Sequence, residues 1–82
     1  MANLEHLTRL KQGKRQWLAW RDDNAHISPD LREIDLSGQN LERSYLVGVN
    51  LSQSYLEAIK LGYANLERAE LANTNLIKAD LS

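Results

Sequence analysis

From residue 31 onward the chain repeats apolar and polar positions with a period of five. Leucine occupies Leu31, Leu36, Leu41, Leu46, Leu51, Leu56, Leu61, Leu66, Leu71, Leu76 and Leu81 without a miss. On an α-helix a step of five residues rotates the chain by about 500°, so successive leucines would stand roughly 140° apart and share no face. On a continuous strand side chains alternate with period two, and an odd step would send successive leucines to opposite faces. A chain that turns once per pentad escapes both conflicts, because each corner resets the direction and every leucine points to one axis. Such a fixed period is the mark of a solenoid.

The other pentad positions fit that reading. Two residues before each leucine stand Pro29, Ile34, Gln39, Ser44, Val49, Ser54, Ile59, Ala64, Ala69, Thr74 and Ala79, mostly small or β-branched, as a second inward position between leucines requires. One residue before each leucine stand Asp30, Asp35, Asn40, Tyr45, Asn50, Tyr55, Lys60, Asn65, Glu70, Asn75 and Asp80, nearly all polar and so outward. The two positions after each leucine are mixed and hydrophilic, as turns at solvent are.

Residues 1–28 follow a different rhythm. Leu4, Leu7 and Leu10 recur at helical spacing behind Asn3, a residue suited to cap a helix start. Gly13 predicts a break. A second helix follows in KRQWLAWRDDN, with Trp17 and Trp20 near one another on one face. Asp22, Asp23 and Asn24 oppose its continuation, Asn24 through its tolerance of the left-handed conformation. Pro29 holds Ser28 out of the helical region. The expected organisation is a helical N-terminal cap over 1–28 and a repeat unit over 29–82. A solenoid needs its ends covered, and Leu4, Leu7, Leu10, Trp17 and Trp20 are the residues expected to cover the first.

Runs such as ANLER (64–68), AELAN (69–73) and ADLS (79–82) resemble the A(D/N)LXX signature of pentapeptide repeat proteins. The resemblance spans residues 29–82. Gln39, Tyr45, Tyr55 and Lys60 depart from the signature without touching the leucine ladder. The stretch LKQGKRQWLAWR followed by PDL also resembles the leader found before the repeats in some members. What the resemblance implies is a mainly β fold, a right-handed quadrilateral β-helix with four pentads per coil and an α-helical cap. The leucines would then form four inner columns, with Arg43 next to Tyr63 and Lys60 next to Asp80 in neighbouring coils. The family includes members that protect DNA gyrase by resembling duplex DNA, which implies an alternative function as a DNA-mimicking regulator.

Composition narrows the chemistry. Eighty-two residues make one short domain, burying about 60% of its unfolded surface. No cysteine is present, so disulfides and thiolate metal sites are excluded. No apolar run has signal-peptide or membrane-spanning length, and a cytoplasmic protein without membrane association is the expectation. Residues 1–29 carry five bases against three acids and residues 30–82 five against eight. That field is too weak to make nucleic acid a favoured partner or an acidic mimic the leading reading. His6 and His26 lack a cysteine or paired carboxylate at a useful spacing, and Asp22, Asp23 and His26 read as a solvated helix exit. No catalytic residue, metal or cofactor is expected, and the chain is read as a non-enzyme.

Interaction is the remaining class. With no capping helix or charge cluster after Leu81, the rungs Leu66, Leu71, Leu76 and Leu81 are expected to form an exposed edge that self-associates, as a homodimer or end-to-end oligomer. Tyr45, Val47, Tyr55 and Tyr63 form a second candidate, a surface for a protein partner, since aromatics favour binding surfaces.

Overall fold

The computed structural model describes residues 2–81. Met1 and Ser82, the outermost residues of the two expected segments, lie outside the described residues. Helix α1 (Leu4–Lys11) starts where Asn3 Oδ1 accepts from the Glu5 and His6 amides at 2.9 and 3.3 Å. Glu5 in its first turn and Arg9 and Lys11 in its last complement the helix dipole. It buries His6 and Leu10 and half-buries Leu7. Leu4, expected on the covering face, is instead 75% exposed at the first helical position.

The expected break falls at Gly13. Its φ of +116° lies in a region that side-chain-bearing residues avoid, and it leads into α2 (Lys14–Asp23). At the end of α2, Asn24 does not take the left-handed conformation expected of it. Its φ is −131°, and its side-chain amide instead donates to the Trp20 carbonyl at 2.9 Å, satisfying a terminal helix acceptor.

From residue 30 the chain winds in coils of twenty residues. Asp30 bridges Asn50, Asp35 bridges Tyr55, Asn40 bridges Lys60 and Tyr45 bridges Asn65, all in parallel, and the series continues to Lys60 with Asp80. Twenty residues are four pentads, so each coil has four sides. The expectation of a mainly β fold is met less fully: among the described residues the parallel pairing is confined to isolated bridges, with no continuous strand or sheet. The reason lies in the period. A five-residue side that must also turn its corner leaves one residue in bridging register before the direction changes.

Every corner is made alike. The second residue after each leucine has positive φ: 73° at Gly38, 71° at Gly48, and 58 to 61° at Glu33, Arg43, Gln53, Ala58, Tyr63, Arg68, Asn73 and Lys78. A type II turn demands this at its third residue, and most turns are closed by a hydrogen bond from the third residue after the leucine to the leucine carbonyl, as in Gln39 to Leu36 at 3.1 Å. A residue with a Cβ is held left-handed at a cost of roughly 1 kcal/mol or more. Inter-coil bonds from the same residues offset it, for example Arg43 N–H to Gly62 O and Ala58 N–H to Ile77 O, both at 2.9 Å.

Inside, Leu31, Leu36, Leu46, Leu51, Leu56 and Leu61 are buried, with Val49 and Ile59 between them. Each fully buried leucine stabilises the fold by about 1.5 to 3 kcal/mol. Ser54 is also buried, and its hydroxyl donates to Leu31 O at 3.0 Å while accepting from Ile34 N–H at 3.3 Å. It thereby closes the Leu31–Ile34 corner of the neighbouring coil. Gln39, too large and polar for its inner position, turns out to solvent.

Candidate functional site: the two ends of the coil

A coil with no neighbour above it presents unpaired backbone groups, and buried groups of this kind must find partners. At the first coil the helices provide them. Trp17, with 0% exposure, lies over the core and donates its indole N–H to Tyr45 O at 2.7 Å. One turn to either side, Lys14 Nζ donates to Glu42 O at 3.0 Å and Arg21 Nη2 to Val47 O at 2.7 Å. Across the coil, the Asn3 amide donates to Asp30 O at 2.8 Å and the Asp30 amide donates to His6 Nδ1 at 2.9 Å. The spacing Lys14, Trp17, Arg21 places three donors along one side of α2. That row was readable in the sequence but is obscured by the two tryptophans, which look like plain core.

Trp20 is half-buried, 5.5 Å centroid to centroid from Trp17 and 5.2 Å from His6. Four of the five residues expected at the cap contact, Leu7, Leu10, Trp17 and Trp20, belong to or pack against the core cluster, and Leu4 does not. Arg21 lies with its guanidinium 5.0 Å from the Tyr45 ring centroid and 5.7 Å from that of Trp17. Its Nε and Nη1 have no hydrogen-bond partner among the described residues, and the two rings supply the cation–π contact in their place. Burial lowers the Arg21 pKa from the ordinary arginine value, with Tyr45 opposing the shift.

The far end is different. Leu66, Leu71 and Leu76 are half-buried and Leu81 is 54% exposed, with Ile77 exposed beside them. The backbone N–H groups of Leu66, Leu71 and Leu76 have no acceptor among the described residues, whereas Leu46, Leu51 and Leu56 donate to Asn65, Glu70 and Asn75 carbonyls at 2.8 to 2.9 Å.

The tyrosine set is divided. Tyr45 and Tyr55 are ten residues apart, half a coil, and therefore on opposite sides. Tyr55 shares its column with Asp35 and Asn75, and Tyr45 shares its own with Asn65. Tyr45 is tied to the cap through Trp17 and Arg21, and half-buried Val47 holds Arg21. Tyr63, 80% exposed, stands at a corner with the Arg43 guanidinium 5.7 Å from its ring. No continuous patch contains all four residues.

The acidic or amide residue before each leucine has a role that polarity alone did not reveal. Asp30, Asp35, Asn40, Asn50, Asn65 and Asn75 each accept, through Oδ1, the amide of the residue two positions on, at 2.9 to 3.2 Å. This Asx turn preforms the corner. It lowers the Asp35 pKa, through the Ser37 amide first, and the Arg32 guanidinium, donating twice at 2.9 Å, lowers that of Asp30. Tyr45, Tyr55 and Lys60 have no such acceptor, and their corners are held by the turn bonds from Val49, Ile59 and Ala64 together with the inter-coil bonds.

Among the described residues, no three His, Cys, Asp or Glu side chains gather as metal ligands, and no helix is long and apolar enough to cross a membrane. Neither a curated protein nor a solved structure gives a significant match to the chain. The family described as Pentapeptide repeats does match, with eight copies over residues 30–58 and 50–82. With that match over most of the chain, and with a leucine inside, an Asx turn before it and a left-handed corner after it in pentad after pentad, the chain belongs to the pentapeptide repeat family.

Proposed function

We propose that this chain is a non-enzymatic protein–protein interaction or scaffold module, folded as a right-handed quadrilateral β-helix, that pairs with a second copy through the coil carrying Leu66, Leu71, Leu76 and Leu81. The observation that supports it is the difference between equivalent rungs. Leu46 is fully buried and Leu66, one coil on in the same column, is not; the same holds for Leu51 against Leu71 and Leu56 against Leu76. Apolar rungs of this kind gain about 25 cal/mol per Å² when covered. A second copy supplies identical rungs at the same spacing.

Sedimentation of the 82-residue chain tests this. Mass should rise with concentration toward a dimer, and Leu76→Lys should return a folded monomer. A monodisperse monomer at millimolar concentration would rule the pairing out. The DNA-mimicking alternative draws no support from the charge layout, since cations are interleaved with the acids: Arg32 pairs with Asp30, Lys60 stands in the column of Asp80 and Arg43 lies against Tyr63. It calls for salt-sensitive competition with DNA.

A further inference from the structure

The cap does not cover the first coil evenly. Its contacts fall on Asp30, Glu42, Tyr45 and Val47, and the side carrying Gln39, Asn40 and Leu41 faces a cleft of about 770 Å³ beneath the α1–α2 junction. Small-molecule sites typically enclose roughly 300 to 1,000 Å³. Its apolar part is half-buried Leu41, with the buried side chains of Leu10, Leu36 and Trp17 behind it. Leu41 is half-buried here, although its equivalent one coil on, Leu61, is 2% exposed.

The rim is cationic. Lys11, Lys14 and Arg43 line it against a single carboxylate, Glu42. Two of the cations are already placed: Lys14 by its bond to Glu42 O, and Arg43 by the Tyr63 ring. One backbone donor joins them. Lys60 N–H donates to Gln39 O, but its counterpart in the first coil, Asn40 N–H, meets no acceptor among the described residues and belongs to the cleft wall.

We propose that this cleft binds a small organic acid with an apolar body. The hydrocarbon part lies on Leu41, backed by Leu10 and Leu36, and the carboxylate accepts from Arg43, Lys11 and the Asn40 amide. A charge-assisted bond to a preset guanidinium is stronger than its neutral counterpart, so the acid group sets the preference over a neutral ligand of equal length. This inference does not depend on pairing through the far coil, because the two regions lie at opposite ends of the molecule.

The test is titration of the full chain with decanoate and with 2-naphthoate, followed by tryptophan fluorescence and by amide chemical shifts. Both readouts should saturate, with shifts at Gly13, Lys14 and Asn40. Arg43→Gln should weaken binding about tenfold, with the melting curve showing that the variant is folded. 1-Decanol should bind more weakly than decanoate, and Leu76→Lys, which alters the other end, should leave binding unchanged. Failure of both acids to saturate, shifts confined to Leu71 and Leu76, or equal binding by decanol would each overturn the proposal.

Discussion

The first and last coils are built from the same pentads, yet they end in opposite conditions. At the first, α2 lays Trp17 over the core and sets the side chains of Lys14, Trp17 and Arg21 against backbone carbonyls, so the side from Glu42 to Val47 is covered and paired. At the last, the leucines are half open and their amides unpaired among the described residues. The repeat itself is therefore indifferent to what lies above or below it. What distinguishes the ends is 28 residues that do not repeat and that pack on the first coil.

The sharpest way to break the contrast is Trp17→Ala. It removes the largest side chain of the core and one edge bond, and should cost about 3 to 5 kcal/mol in urea unfolding. For a domain whose total stability is of order 5 to 15 kcal/mol, that is a large share. Next come the rungs. Leu56→Ala should cost about 2 to 5 kcal/mol, whereas Leu76→Ala, one coil on in the same column, should cost clearly less in the monomer because part of its surface is already wet. Equal costs would abolish the contrast.

His6→Ala leaves the Asp30 amide without its acceptor and should cost about 1 to 3 kcal/mol. In that variant the amide of Asp30 should exchange faster, with little change at Asn75. The smallest effect belongs to the Asp30 carboxylate. Arg32 lowers its folded pKa, so its contribution is present above the unfolded carboxylate range and lost as pH falls through the lower folded value. Arg32→Ala should raise that pKa, visible by NMR titration, with a stability change reduced by solvent exposure.

Much of this was legible from the period of five, because a leucine at every fifth residue is compatible with few backbones. The break at Gly13 and the helix end before Pro29 were equally plain, since each rests on one residue's dihedral limits. Four-sidedness came through family resemblance, and the bridges from Asp30 to Asn50 onward bear it out. The cap donors were harder to read. Lys14 and Arg21 look like ordinary surface cations until the carbonyls of Glu42 and Val47, 28 and 26 residues away, are placed opposite them. The layout of the tyrosines also needed the coil. Their outward position was clear, but a separation of ten residues puts Tyr45 and Tyr55 on opposite sides.

The inter-coil bonds also have a direction. In each repeat two amides, as at Leu31 and Glu33, donate toward the later coil, and one, as at Asn50, donates toward the earlier. Strands in a flat sheet nearly cancel their dipoles; here the two-to-one imbalance adds up along the axis. The solenoid thus resembles a weak bar magnet made of electric dipoles, negative at the first coil, where Lys14 and Arg21 sit, and positive at the last. Two copies meeting at their last coils bring like poles together. Their pairing must be carried by leucine alone, and it should strengthen, not weaken, as salt is added.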